Sequence, residues 1–450
     1  MFIIRHVAAP DQAGAGSAIL APMPRSKLAL VFWAAAAAAQ PRYDLLLQGG
    51  HVIDARNRLS AVRDVAVAGG KIAAVAEHIP ASAAAKVVDV SSLYVVPGLV
   101  DIHTHVMTMS GLRGSLTEDQ NVWADSHTFR SGVTTVVDAG TSGWRNFPAQ
   151  KERILDHSRT RILAMLNIVG HGQAGGAFEQ DTGDMDPRAT ADMVKRHPGV
   201  LVGIKTAHYM APDWIAVERA VEAGRLAGVP VMVDFGAFLP ARPYEDLVLK
   251  KLRPGDISTH MYLGRAPLLD AAGRLRPYLA EARRRGVIFD TGHGGGSFVL
   301  RQAVPAIRQG FLPDSISTDL HTESMNAGMK DMLNVLSKFL NLGVALDDVI
   351  ARATWNPARE IQRTDLGHLS PGAPADIAVL RVETGQFGFV DSWGARLRGT
   401  RRLACELTVR DGQVVWDRNG ITREEWDKLG GYQKLDDPRW DSTYGPRPRR

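Results

Sequence analysis

From Tyr43 the chain alternates short apolar runs with glycine-bearing breaks: YDLLLQGGHVIDARN, RDVAVAGGKIAAVAE, then KVVDVSSLYVVPGLVD. Runs of this length, rich in valine, isoleucine and leucine and punctuated by Gly-Gly and Gly-Lys, predict antiparallel strands. The texture returns late, in GAPADIAVLRVE and ELTVRDGQVVWDRNG, where Asp411-Gly412 is a hairpin signal between two valine-bearing strands. Two β-rich ends around a different middle predict one small β domain assembled from both.

The middle has a longer rhythm. Apolar runs end near Asp101–His105, Asp138, Gly170, Lys205, Asp234, His260, His293 and Asp319. His103 to Asp319 spans 216 residues, about 31 per interval, which is the size of a strand–helix unit. Helical stretches lie between the runs, such as PDWIAVERAVEAGRLAG with Pro212 near its start and Gly228 at its end. Eight strands alternating with helices predict a (β/α)8 TIM-like barrel, with its chemistry at the C-terminal ends of the strands. A doubly wound open sheet is the other architecture, but the phosphate loop expected after its first strand is replaced here by His-Thr-His. The expected division is a β domain from 41–96 and 366–420, a barrel from 97–365, and a tail from 421–450.

The first 40 residues read differently. From Met23, MPRSKLALVFWAAAAAAQ places Arg25 and Lys27 before an apolar stretch from Leu28 to Ala39, with small residues ahead of Gln40. That is the layout of a secretory signal peptide. It predicts a start at Met23 and a mature protein that begins near Gln40, is secreted or periplasmic, and has no membrane anchor once the signal is removed. The net charge of +5 comes from 53 basic and 48 acidic residues, part of the excess in the terminal YGPRPRR. No basic run is interleaved with aromatics, so nucleic acid is not an expected partner. The lone cysteine, Cys405, excludes an intrachain disulfide and a cysteine-based zinc cluster, and reads as a buried strand residue.

The strand ends carry the candidate chemistry. In VVPGLVDIHTHV, alternation would aim His103 and His105 into one space. Lys205, Asp234, His260, His293 and Asp319 close later strands, and a closed barrel would bring them all to one mouth. Imidazoles and carboxylates without thiolate suit zinc, manganese or iron(II). Lys205 reads two ways. A buried lysine that loses its proton can add carbon dioxide to give an anionic bridge between two metals, or it can pair with a carboxylate such as Asp234 or Asp319. Arg242 and Arg265, on loops after strand ends, are candidates for clamping a substrate carboxylate. His171 and His208 are candidates for lining the pocket. His321, just past Asp319, is placed to orient it.

With these motifs in view, the chain resembles the amidohydrolase superfamily, and more closely its deacetylase and dihydroorotase-like metallohydrolases. The likeness rests on DLLLQGGHVID, PGLVDIHTH, GIK, STH, FDTGHGGGSF, ISTDLH and GHLSPGAPADIAVL. It implies a β-sandwich from both chain ends beside the barrel and a site for two divalent ions, zinc by family. His103, His105 and Asp319 would bind the inner ion, a carboxylated Lys205 would bridge, and His260 would hold the outer ion. Asp319 would also move the proton of the attacking water, and His293 would touch substrate or polarise its carbonyl. The chain departs at the fifth strand, where these relatives place a histidine and Asp234 stands. Aspartate there would favour manganese or iron as the metal, or else would not reach it, leaving a single ion.

The expected reaction is hydrolysis of an amide or ester bond in a small molecule by metal-activated water, with N-acyl amino-acid-like deacylation in front. A cyclic amidase of the dihydroorotase or hydantoinase kind is the alternative, and a non-catalytic barrel that only binds is a third. Assembly into a homo-oligomer stays open.

Overall fold

The computed structural model describes residues 42–107 and 120–429. The leader-like segment before Gln40 and the last part of the tail lie outside them. Among the described residues no helix is long and apolar enough to cross a membrane.

Strands β1 (Leu45–Asp54), β2 (Leu59–Ala68), β3 (Lys71–Ala76), β4 (Val87–Asp89) and β5 (Tyr94–Pro97) open the chain. Strand β6 (Leu99–Thr104) follows one residue later and begins the barrel. The next strands are β7 (Val133–Gly143), β8 (Arg161–Asn167), β9 (Leu201–Thr206), β10 (Val231–Val233), β11 (Ile257–Ser258) and β12 (Ile288–Phe289). Strands β13 (Ile377–Val390), β14 (Arg396–Arg410) and β15 (Gln413–Asp417) close it.

The two chain ends do join. One mixed sheet runs β15-β14-β13-β5-β1-β2-β3, with β4 also on β1. The seam is β5, antiparallel to β13 through Pro97–Ile377 and Val95–Val379. One expectation changes in detail. Strands β4 and β5 run parallel to β1 rather than antiparallel, because each returns to it through a connection longer than a tight hairpin. The pairing runs as one continuous path, and its buried face gathers Leu45, Val52, Val67, Val95, Ile377 and Leu407 into one cluster. The Asp411-Gly412 turn is as expected: both residues have positive φ, 48° and 76°, which matches the twist of the flanking strands.

Strands β6 to β12 are all parallel and neighbour one another in chain order. The eighth segment, 315–320, pairs only by single bridges, Asp290 with Ser315 and Thr104 with Leu320, and these two join the ends of the row into a ring. Asp101 stitches the closure: its Oδ1 accepts from the Thr318 and His103 amides at 3.0 and 3.3 Å. Around the ring lie α1 (Phe147–Arg153), α2 (Pro187–Arg196), α3 (Ile215–Ala227) and α4 (Tyr244–Asp246), the last continuing as a π-helical turn, Leu247–Lys251. They are followed by α5 (Pro277–Arg284), α6 (Leu300–Arg308), α7 (Thr322–Asn326), α8 (Met332–Asn341), α9 (Leu346–Ala351) and α10 (Trp355–Glu360). Helix α3 stops where the sequence says, at Gly228 with φ 73°, a conformation glycine adopts without steric cost. Val100, Ile102, Leu163, Met165, Val202 and Met232 form a cluster of their own with Ala358 of α10 and Ile361 just past its end. A larger cluster packs the strands on the helices. The barrel is a packed body with one open end.

Candidate metal centre

The ring brings His103, His105, Lys205, Asp234, His260 and Asp319 together, as strand order requires. His105 Nε2 lies 3.1 Å from Asp319 Oδ1, and His103 Nε2 lies 3.6 Å from the same oxygen. One ligand atom from each of these three buried residues falls within 4.8 Å of the others. Lys205 Nζ is 2.9 Å from His103 Nε2. Opposite, Asp234 Oδ2 stands 3.5 Å from His260 Nε2 and 3.1 Å from His208 Nε2.

Hydrogen bonds behind the rings fix their tautomers. Thr259 spends its only proton on Asp290 Oδ2 at 2.7 Å, so it must accept from His103 Nδ1 at 2.9 Å. His103 Nε2 is then a lone pair facing the Asp319 carboxylate. His260 Nδ1 sits 2.6 Å from the Gly292 carbonyl, which can only accept, so that nitrogen carries a proton and Nε2 is the atom turned toward Asp234. His105 Nδ1 is held by the Thr141 hydroxyl at 3.0 Å. Imidazole nitrogens turned toward carboxylates are a donor set for a cation.

The electrostatics set the two rings apart: against burial, Asp234 raises His260, whereas His103 is lowered. Burial, and then Lys205, push His103 down to about 3, which keeps it neutral. Burial raises the Asp319 carboxyl, but His103, His105 and His321 outweigh it and hold the group well below the usual carboxylate range. Asp234 behaves alike under His260 and His208. Burial lowers Lys205, the direction that frees an amine. His208 lies between two carboxylates, with Glu179 Oε2 2.9 Å from its Nδ1; against burial, Asp234 and Glu179 push it up to about 11. It is an imidazolium.

A polar cavity of about 240 Å³ lies over this floor, lined by His103, His105, Asp234, His260, Asp319 and His321 among others. Gln120, Gln173 and His208 are shared with a second cavity of about 400 Å³ that continues past Gly175, Gly176 and Met210. Gln120, Gln173 and Glu179 carried no signal in the sequence, since a polar loop residue is silent until the loop is placed.

Other expected residues stand elsewhere. Arg242 is fully buried and its Nη2 donates to the carbonyls of Tyr209, Phe235 and Ala237 at 2.7, 3.1 and 3.0 Å. It pins the loops after β9 and β10 instead of facing a substrate. Arg265 is exposed, and His171 packs edge-on against Phe178; neither lines the two cavities. His293 has no exposed surface and is bonded to Lys338 behind the site, so it is not placed to polarise a substrate carbonyl. His321 does face the cavity, with Nδ1 2.8 Å from the Asp319 carbonyl oxygen.

A ring of parallel strands with a His-His-Asp cluster at its open end defines a barrel metallohydrolase. Residues 299–409 match the model of the amidohydrolase family. A deacetylase of Agrobacterium fabrum is 33% identical over 361 residues, 78% of this chain and 86% of that one. Among solved structures, an adenine deaminase superposes with a TM-score of 0.76 at 26% identity over 83% of this chain and all of the other. A dihydroorotase superposes with a TM-score of 0.70 at 28% identity, over 83% and 99%. The chain belongs to the amidohydrolase family, and it is a metal-dependent hydrolase of that family.

Proposed function

We propose that the protein deacylates small N-acyl amino-acid-like compounds with two divalent ions and a carboxylated Lys205 between them. The observation that carries this reading is the pair of facing sets: His103 and His105 turn Nε2 to Asp319, and His260 turns Nε2 to Asp234, so each carboxylate with its imidazoles offers a separate seat for a cation. His103, His105 and Asp319 would hold one ion; Asp234 and His260 would hold the other. Zinc fits the imidazoles, and the extra carboxylate oxygen also admits manganese or iron. Such ions polarise a carbonyl and bring the pKa of bound water toward neutrality.

The protein's own groups do the rest. Asp319, ionised and facing the cavity, takes a proton from the attacking water and returns it to the leaving nitrogen. The cavity of about 240 Å³ admits an acyl group, and the adjoining one receives the remainder of the substrate, beside the His208 cation. The Agrobacterium relative, a deacetylase, supports an acyl substrate. The dihydroorotase likeness keeps ring opening as the alternative, since a cyclic amide presents the same carbonyl and nitrogen.

Metal content per subunit of wild type and Asp234→Ala, with hydrolysis of N-acyl amino acids against cyclic ureides, tests the reading. Two metals falling to one, with N-acyl compounds preferred, is the expected result. One metal in both proteins would remove the second ion, and a preference for ureides would make the enzyme a cyclic amidase.

A further inference from the structure

The loop behind the metal centre is itself held from behind. Gly292 and Gly294 have φ 46° and 55°, and each presses on a site residue. A Cβ on Gly292 would lie 2.8 Å from His260 Nδ1, and one on Gly294 would lie 2.4 Å from Asp319 Oδ2. Between them the His293 ring turns away from the cavity and stacks on Phe298, centroids 4.7 Å apart and planes 8° apart. Phe298 is anchored in turn by the β13–β14 hairpin tip, through Ser392 Oγ at 3.0 Å and the Ser392 amide at 2.9 Å.

His293 Nδ1 faces the Gly294 carbonyl at 2.9 Å, so that nitrogen carries the proton and Nε2 accepts. The donor is Lys338 of α8, whose Nζ lies 2.5 Å from His293 Nε2 and 2.7 Å from the Gly328 carbonyl oxygen. Lys338 is fully buried, a costly place for an amine unless its protons are used. It touches neither cavity, so the hydrolysis described above gives it no task.

We propose that Lys338 is a positioning residue for the metal centre. Through His293 it fixes the Gly292 carbonyl that sets the tautomer and the orientation of His260. The proposal rests on the reading of His260 as a ligand of the outer ion, but its first readout needs no metal.

The test uses the full chain with ¹⁵N-labelled histidine. In metal-free wild type the His260 Nδ1–H should appear as a downfield, exchange-protected signal, assigned by its loss in His260→Asn. Lys338→Met keeps side-chain length but removes both hydrogen bonds; it should shift or lose that signal and weaken zinc binding at the outer site by roughly tenfold or more. His293→Leu should do the same. His293→Gln, whose amide oxygen can accept from Lys338, should retain signal and affinity. A wild-type His260 signal in Lys338→Met overturns the proposal, and so does a His293→Gln as damaged as His293→Leu. Should Lys338→Met not fold, the two His293 variants decide. A purely structural lysine would lower thermal stability and leave the His260 signal in place. Loss of all zinc binding in wild type, with the signal responding as expected, would sink the proposed function and leave the positioning role standing.

Discussion

Three residues of the centre, His208, His260 and Asp319, sit at φ 53°, 59° and 52°, in the left-handed region that side chains other than asparagine and aspartate seldom visit. Strain of this kind persists only where surrounding contacts impose it. For Asp319 those contacts are specific: its carbonyl accepts from His321 and from Ser324 Oγ at 2.8 Å each. Asparagine tolerates the same backbone, so Asp319→Asn should fold with a melting temperature close to wild type. It should nevertheless lose about 10²–10⁴ in kcat, the usual worth of a positioned acid–base group, and bind the inner metal less tightly. A kcat within tenfold of wild type on the best N-acyl substrate would remove Asp319 from proton transfer. The strained backbone was not legible in the sequence, where these positions read only as strand ends.

At the scale of elements, the strand ends were legible because a parallel barrel repeats one unit and places equivalent positions at one mouth. What the rhythm does not encode is where the chain turns after the strand. Lys205 and His260 follow their strands into the mouth, whereas the left-handed turns at Gly292 and Gly294 swing His293 out of it. Arg242 was misplaced for a related reason: a guanidinium on a loop looks like a clamp until three carbonyls converge on it. Glycines therefore carry position as well as flexibility. Gly140 on β7 has φ 89°, and a Cβ there would lie 2.6 Å from Lys205 Cγ. Gly176 also has positive φ, 55°, but nothing lies within 4 Å of its Cβ position. Gly176→Ala should cost only the backbone strain, about 1–2 kcal/mol, and keep full metal content. Gly140→Ala adds the clash with Lys205 to the same strain, and should displace Lys205 and lower the metal content. Equal metal content in the two variants would mean that Lys205 does not depend on this contact.

Across the whole molecule, the sheet and the barrel share one core. Ala378, Leu380, Leu403 and Cys405 from β13 and β14 belong to the same apolar cluster as Leu99, Val133 and the helix-facing barrel residues. Thr408 Oγ1 donates to the Phe129 carbonyl at 2.7 Å, and Asp376 pairs with both Arg161 of β8 and Arg410 of β14. Such a junction predicts a single cooperative transition, and Cys405 is the built-in probe of it. Burial pushes its thiol up to about 12, so the native protein offers almost no thiolate to an alkylating reagent at pH 8. In a urea series, Cys405 alkylation should rise only where the helical circular dichroism is lost, since the α-helices among the described residues all lie between Phe147 and Glu360. Asp376→Ala leaves Arg161 and Arg410 only the exposed Asp411 as a shared carboxylate, and should lower stability by roughly 1–3 kcal/mol while keeping one transition. Alkylation that precedes the loss of helix, in wild type or in Asp376→Ala, would show that the sheet opens from the barrel by itself. The β13–β14 hairpin that reaches Phe298 would then be a movable support of the metal centre rather than part of a rigid one.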